Sequence, residues 1–271
     1  MDLMRRIGIL LALAFCAVGT VAWAQSAAPE KPNTDKYIAE KSVTEKLIPE
    51  NPSTEKSVTE KLIPENPITE KPITEKVEWT WTDRPETPVA GLPNVLLVGD
   101  SITRAYYPAT EKELGGVANV YLFATSCASG DARLPGQLRD YFAMMGLKFA
   151  VIHFNNGMHG WGYTEQQYAA GLPAMIAVLR DAEPEARLVW ADTTPVRRDS
   201  TTGQASNARI DERNRLAAAV MSREGIPVDA QHGLMLPHGD MHSDDVHFNA
   251  EGSALEAVQV AGTIRLAMGK R

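Results

Sequence analysis

Asn94-Val95-Leu96-Leu97-Val98-Gly99-Asp100-Ser101-Ile102-Thr103 is the stretch on which the fold turns. Val95 to Val98 form a short apolar run with no polar alternation, which fits a strand buried on both faces of a sheet. The run breaks at once into Gly-Asp-Ser, with Gly99 permitting a tight exit. A hydroxyl is thereby placed at the carboxyl end of a strand, where open parallel sheets gather their functional groups. The segment beyond Ser101 reads as a possible helix, whose N-terminus favours negative charge. The plain alternative is that Ser101 and Thr103 only cap that helix.

Outward from this stretch the same grammar repeats. Val117–Phe123, Phe149–Phe154, Arg187–Trp190 and Ile226–Val228 are further short apolar runs. Between them, Leu134–Met145, Tyr163–Arg180, Ser206–Arg223 and Ala250–Met268 carry helical patterning. Strands separated by helices predict an α/β domain with a parallel sheet of about five strands and helices on both sides.

Upstream the composition changes. Glu40 to Pro52 reads EKSVTEKLIPENP, and Glu55 to Pro67 repeats it at a period of 15 residues. Thr-Glu-Lys recurs at Thr44, Thr54, Thr59, Thr69 and Thr74, at steps that are multiples of five. Such a step matches neither helix nor strand. Pro49, Pro52, Pro64, Pro67 and Pro72 interrupt any helix, and the alternating Glu and Lys keep the segment solvated. We read 25–90 as a disordered tether, with contact to the cell envelope as its functional alternative, and 91–271 as the folded domain. Trp79 and Trp81 are expected to pack on the domain surface and end the tether. Residues 1–24 read as a signal peptide: Arg5 and Arg6, an apolar run from Ile7 to Val21, then Ala22-Trp23-Ala24 before the cleavage point. The mature protein is accordingly expected to be secreted or periplasmic, with no stable membrane insertion.

Bulk properties narrow the class. The chain has 271 residues and a formal net charge of −7 without a long basic block, so nucleic acid is not an expected partner. Cys16 and Cys127 are its two cysteines; cleavage removes the first, leaving no intramolecular disulfide.

The far end of the domain supplies a partner for Ser101. Asp244-Asp245-Val246-His247 stands just before the last helix. A serine hydroxyl is a weak nucleophile unless a base lies within hydrogen-bond reach and an acceptor orients that base. Asp244 and His247, three apart on one loop, can supply both. The competing reading of a lone loop histidine is surface decoration.

Gly99-Asp100-Ser101-Ile102-Thr103, Ser129-Gly130-Asp131, Asn155-Asn156-Gly157 and Asp244-x-x-His247 resemble, in order and spacing, the four sequence blocks of SGNH (GDSL-like) hydrolases. The resemblance covers about Asn94 to Ala267. It implies a flavodoxin-like three-layer α/β/α sandwich, with Ser101 as nucleophile, His247 as general base and Asp244 as its partner. It implies an oxyanion hole from the Ser101 and Gly130 backbone N–H groups and an asparagine side chain. The third block departs from the common Gly-x-Asn-Asp. A subgroup with Asn-x-Gly-x-His matches better and favours Asn155, with Asn156 as the alternative.

The remaining candidates weigh less. His153, His159, His238, Asp240 and His242 lack a zinc spacing, and triad chemistry needs neither metal nor cofactor, so none is expected. His159 and Trp161 are candidates to line the substrate pocket. Cys127 reads as a small buried residue rather than a nucleophile. Arg197 and Arg198 can meet an anionic substrate or simply sit in a solvated loop. The expectation is therefore an exported serine esterase acting on acyl, above all acetyl, esters of carbohydrate or cell-envelope glycan. An O-acyltransferase on the same glycans and a non-catalytic glycan-binding module are the competing readings.

Overall fold

The computed structural model describes residues 71–202 and 204–269. The signal-peptide reading, Cys16 and the repeats before Lys71 lie outside the described residues.

Six strands form one sheet: β1 (Thr80–Asp83), β2 (Asn94–Gly99), β3 (Asn119–Thr125), β4 (Val151–Phe154), β5 (Arg187–Ala191) and β6 (Val228–Asp229). Their order is β1-β3-β2-β4-β5-β6. The last five pair in parallel, and β1 lies antiparallel against β3. The sheet thus has one strand more than the apolar runs predict. β1 (Thr-Trp-Thr-Asp) escapes such a reading because all four of its residues are exposed at a sheet edge, so burial leaves no pattern in them.

The helices are α1 (Ser101–Glu113), α2 (Leu134–Met145), α3 (Glu165–Ala182), α4 (Asn207–Glu224), α5 (Gln231–Met235) and α6 (Ala250–Gly269). Both faces of β2 are covered. Val95 and Leu97 pack on one side with Ile102 and Tyr106 of α1 and Ala257, Val260, Ala261 and Ile264 of α6. Leu96 and Val98 pack on the other with Leu138 of α2, Leu172 and Ile176 of α3, and Leu216 and Val220 of α4. The i, i+3, i+4, i+7 spacing along α6 is what one buried helix stripe requires. The result is the three-layer α/β/α sandwich expected, with β2 at the centre and Ser101 just beyond its carboxyl end.

Candidate active site

Asp100, not Ser101, caps α1: its side chain accepts from the Ile102 N–H at 2.9 Å. Ser101 is left as the first helical residue, with its hydroxyl free for another partner. Gly99 is required for closeness rather than for an unusual φ, since a methyl there would overlap the Thr103 side chain. Thr103 is itself buried and accepts from Tyr106.

The Ser101 Oγ lies 2.7 Å from His247 Nε2, 146 residues away in sequence. His247 Nδ1 lies 2.8 Å from Asp244 Oδ2. A carboxylate only accepts, so Nδ1 carries the ring proton, and a neutral ring then offers Nε2 as an acceptor to the serine. The other Asp244 oxygen accepts from the N–H groups of Val246 and His247, both at 2.7 Å. Burial works against the charge, but these donors hold the Asp244 carboxyl down to about 2. The loop is latched from outside: Arg197 and Arg198 both pair with Asp245 Oδ1, at 3.2 and 2.9 Å.

The two asparagines of the third block do different things. Asn155 Nδ2 donates to the Ala191 carbonyl at 2.7 Å and to Thr193 Oγ1 at 3.2 Å, beneath the carboxyl ends of the strands. Asn156 reaches the other way. Its Oδ1 accepts from Ser129 N at 2.6 Å and its Nδ2 donates to the Cys127 carbonyl at 2.9 Å, clamping the loop that carries Gly130. That loop is also pressed by α3, where a methyl on Gly171 would overlap the Ser129 carbonyl. Gly171→Ala is expected to destabilise the domain by about 1–3 kcal/mol through overpacking. It should also lower kcat about 10–100-fold by displacing Gly130. Thermal unfolding and steady-state kinetics of the variant check both.

Ser101 and His247 open into a cleft of about 500 Å³, lined also by Met158, His159, Trp161 and Val246. Sequence reading missed the residue that shapes this wall. Arg213 of α4 is fully buried and donates to the carbonyls of Gly157, His159 and Gly160, at 2.7–3.0 Å. Its guanidinium stacks on Trp161, 3.9 Å from the ring centre. Burial lowers its pKa to about 10. Three carbonyls converging on one cation fix the His159–Trp161 turn. Only the basic residue on an otherwise apolar helix stripe hinted at this.

The other candidates are dispersed. His153 is buried against Asp229 at 2.9 Å, and His242 faces the Pro195 carbonyl and stacks on Phe248. Among the described residues no three His, Cys, Asp or Glu side chains are grouped to hold a metal. Cys127 is buried, and burial, with Asp131 adding, pushes its thiol up to about 12. A thiol so held is a poor nucleophile at neutral pH.

The model of the GDSL-like lipase/acylhydrolase family matches residues 97–255, more than half of the chain. The chain belongs to this family. As a member of this acylhydrolase family it is a carboxylic ester hydrolase. No curated protein sequence matches it. Among solved structures it is similar to a GDSL-like lipase from Parabacteroides merdae, at 14% identity and a TM-score of 0.51, covering 68% of this chain and 100% of that one. It is similar to an acylhydrolase from Bacteroides fragilis, at 14% identity and TM-score 0.53, covering 67% and 90%. A carbohydrate esterase family 3 protein from Talaromyces cellulolyticus matches at 14% identity and TM-score 0.51, covering 66% and 100%. At such identities the likeness is one of fold.

Proposed function

We propose that this GDSL-family hydrolase is an exported serine esterase that removes acetyl groups from carbohydrate or cell-envelope glycan through an acyl-enzyme. The observation that carries the reading is the continuous hydrogen-bonded series Ser101–His247–Asp244 at the mouth of the cleft. As Ser101 Oγ attacks the ester carbonyl, its proton passes to His247 Nε2, and Asp244 stabilises the imidazolium. Collapse of the tetrahedral intermediate breaks the bond to the alcohol, which takes the proton from His247. Water, deprotonated by the same ring, then releases the acid and restores Ser101.

The developing oxyanion needs donors already in place. The Ser101 N–H, at the first position of α1, and the Gly130 N–H have no protein acceptor among the described residues. For the side-chain donor, the hydrogen bonding favours Asn156. Asn155 directs its amide nitrogen to two acceptors, whereas Asn156 uses one N–H on Cys127 and keeps a second. The acetyl-carbohydrate assignment draws on the size of the cleft and on similar folds, such as a carbohydrate acetylesterase family member from Sinorhizobium meliloti at 14% identity. Export rests on the sequence pattern of residues 1–24.

A serine-directed fluorophosphonate and a panel of acetylated sugars and acyl-chain esters test this reading. Expected are stoichiometric labelling at Ser101 and hydrolysis of acetyl esters without an acceptor. Transfer that appears only when an acceptor sugar is added would make the protein an O-acyltransferase. Absence of labelling would leave a glycan-binding module.

A further inference from the structure

The last Thr-Glu-Lys unit of the repeat does not hang free of the domain. Glu75 accepts from His159 Nδ1 and from the Gly160 N–H, each at 3.0 Å. Two residues earlier, the Ile73 N–H donates to the buried Tyr163 hydroxyl at 2.7 Å. The receiving surface is His159-Gly160-Trp161-Gly162-Tyr163, and both glycines are used. Gly160 adopts φ +70°, which turns its N–H outward. A methyl on Gly162 would overlap the Ile73 side chain, so its absence makes the seat for Ile73. The ring of His159 is backed edge-on by Trp79, 5.7 Å away. Glu78 and Asp100 act on His159, and Arg213 acts on Glu75, each with the opposite charge. Burial disfavours both charges, yet the pairing holds Glu75 below its ordinary value and His159 above. Ile73, Thr74 and Glu75 thereby line the same cleft as Ser101 and His247.

We infer that Ile73-Thr74-Glu75 is a built wall of the catalytic cleft, held by the Glu75–His159 pair, and that it confines the space beside Ser101 to short acyl groups. The inference deepens the esterase reading and rests on it. The sequence adds a complication the test must absorb. Pro67-Ile68-Thr69-Glu70-Lys71 has the same five residues as Pro72-Ile73-Thr74-Glu75-Lys76. Loss of Glu75 alone can therefore be bypassed by a slip of five residues, so both glutamates must change.

The experiment compares the wild-type chain with E70Q/E75Q and, separately, with I68A/I73A, in which the same slip restores no isoleucine. The second variant removes the Ile73 side chain, 40% exposed, and leaves the Glu75 carboxylate in place. The primary readout is the ratio of kcat/KM for p-nitrophenyl octanoate to that for p-nitrophenyl acetate. It is expected to rise at least about fivefold in both variants, the scale on which pocket walls discriminate acyl length. A purely structural role would lower both esters together and leave the ratio unchanged, which overturns the inference. Trypsin supplies a readout independent of turnover. The Lys76–Val77 bond should be cut at least about tenfold faster in E70Q/E75Q, because release of the strap exposes its backbone. Equal rates overturn the docking. A wild type that hydrolyses no ester overturns the esterase reading, while the trypsin comparison still decides whether the strap is seated.

Discussion

Ser101→Ala is expected to lower kcat/KM for acetyl ester hydrolysis by about 10⁴- to 10⁶-fold, leaving only what binding and the oxyanion donors provide. Ser101 is partly buried at the mouth of the cleft and its hydroxyl bonds to one side chain, so its loss costs little stability and the variant should unfold near the wild-type temperature. Asp244→Asn makes the complementary case. Both oxygens of Asp244 accept from N–H donors. An amide keeps one oxygen only, so its NH₂ must face either the two backbone amides or the His247 ring. Facing the ring, it stabilises the tautomer that carries its proton on Nε2, which cannot accept from Ser101. A loss on the order of 10⁴ in kcat is expected. Because the Asp244 carboxyl is held down to about 2, it stays ionised across the neutral range and protonation of Asp244 does not set the acid limb of the wild-type pH profile. Retention of more than about 1% of wild-type activity by folded Ser101→Ala would remove this serine from the chemistry.

Glu256→Gln is expected to stabilise the domain, and to do so only when the pH is raised. Glu256 lies on α6, fully buried, with neither carboxyl oxygen hydrogen-bonded among the described residues. It borders a small space of about 10 Å³ shared with Thr103, Asn155 and Thr194, enough for about one water. Burial, with the Asp100 charge adding, pushes its carboxyl from 4.5 up to about 8. In the unfolded chain the group ionises near 4.5, while in the fold it keeps its proton to about 8. The folded state therefore binds more protons between these values. Stability fully present below pH 4.5 is lost as pH rises toward 8. The span corresponds to on the order of 4 kcal/mol for a group so thoroughly removed from water. Gln copies the neutral acid and cannot ionise. The variant should match the wild type near pH 4.5 and exceed it by several kcal/mol at pH 8, about 10 °C in Tm for a domain of this size. Urea unfolding at pH 5 and pH 8 decides the matter; an equal difference at both would mean that Glu256 is ionised in the fold.

These two sites differ in how far the sequence announces them. Ser101 and His247 are legible because the proposed esterase chemistry demands a particular residue type at a strand end and before the last helix, and local pattern marks both places. Glu256 was not. Within α6 it is simply an acidic residue in an apolar helix, Ser253-Ala254-Leu255-Glu256-Ala257, and only the packing of α6 on α1 brings it near Asp100. Arg213 and Gly171 were hidden for the same reason. Each sits on a regular helix stripe and acquires meaning from a loop that arrives from elsewhere.

The chain by itself determined the parallel core and the identity of its strands, since unbroken apolar runs flanked by helical stripes have few other ways to bury both faces. It also carried the residues of the Ser101, His247 and Asp244 series, whose proposed chemistry constrains residue type. The exposed edge strand β1 was decided by pairing with β3, and the cap of α1 by Asp100 rather than by Ser101 or Thr103. The different hydrogen-bond partners of Asn155 and Asn156, and the seating of Glu75 on His159, 84 residues away, come from tertiary structure alone. The reason is physical. A hydrogen bond between distant segments leaves no period in the sequence of either, so it exists only once the sheet has brought their ends together.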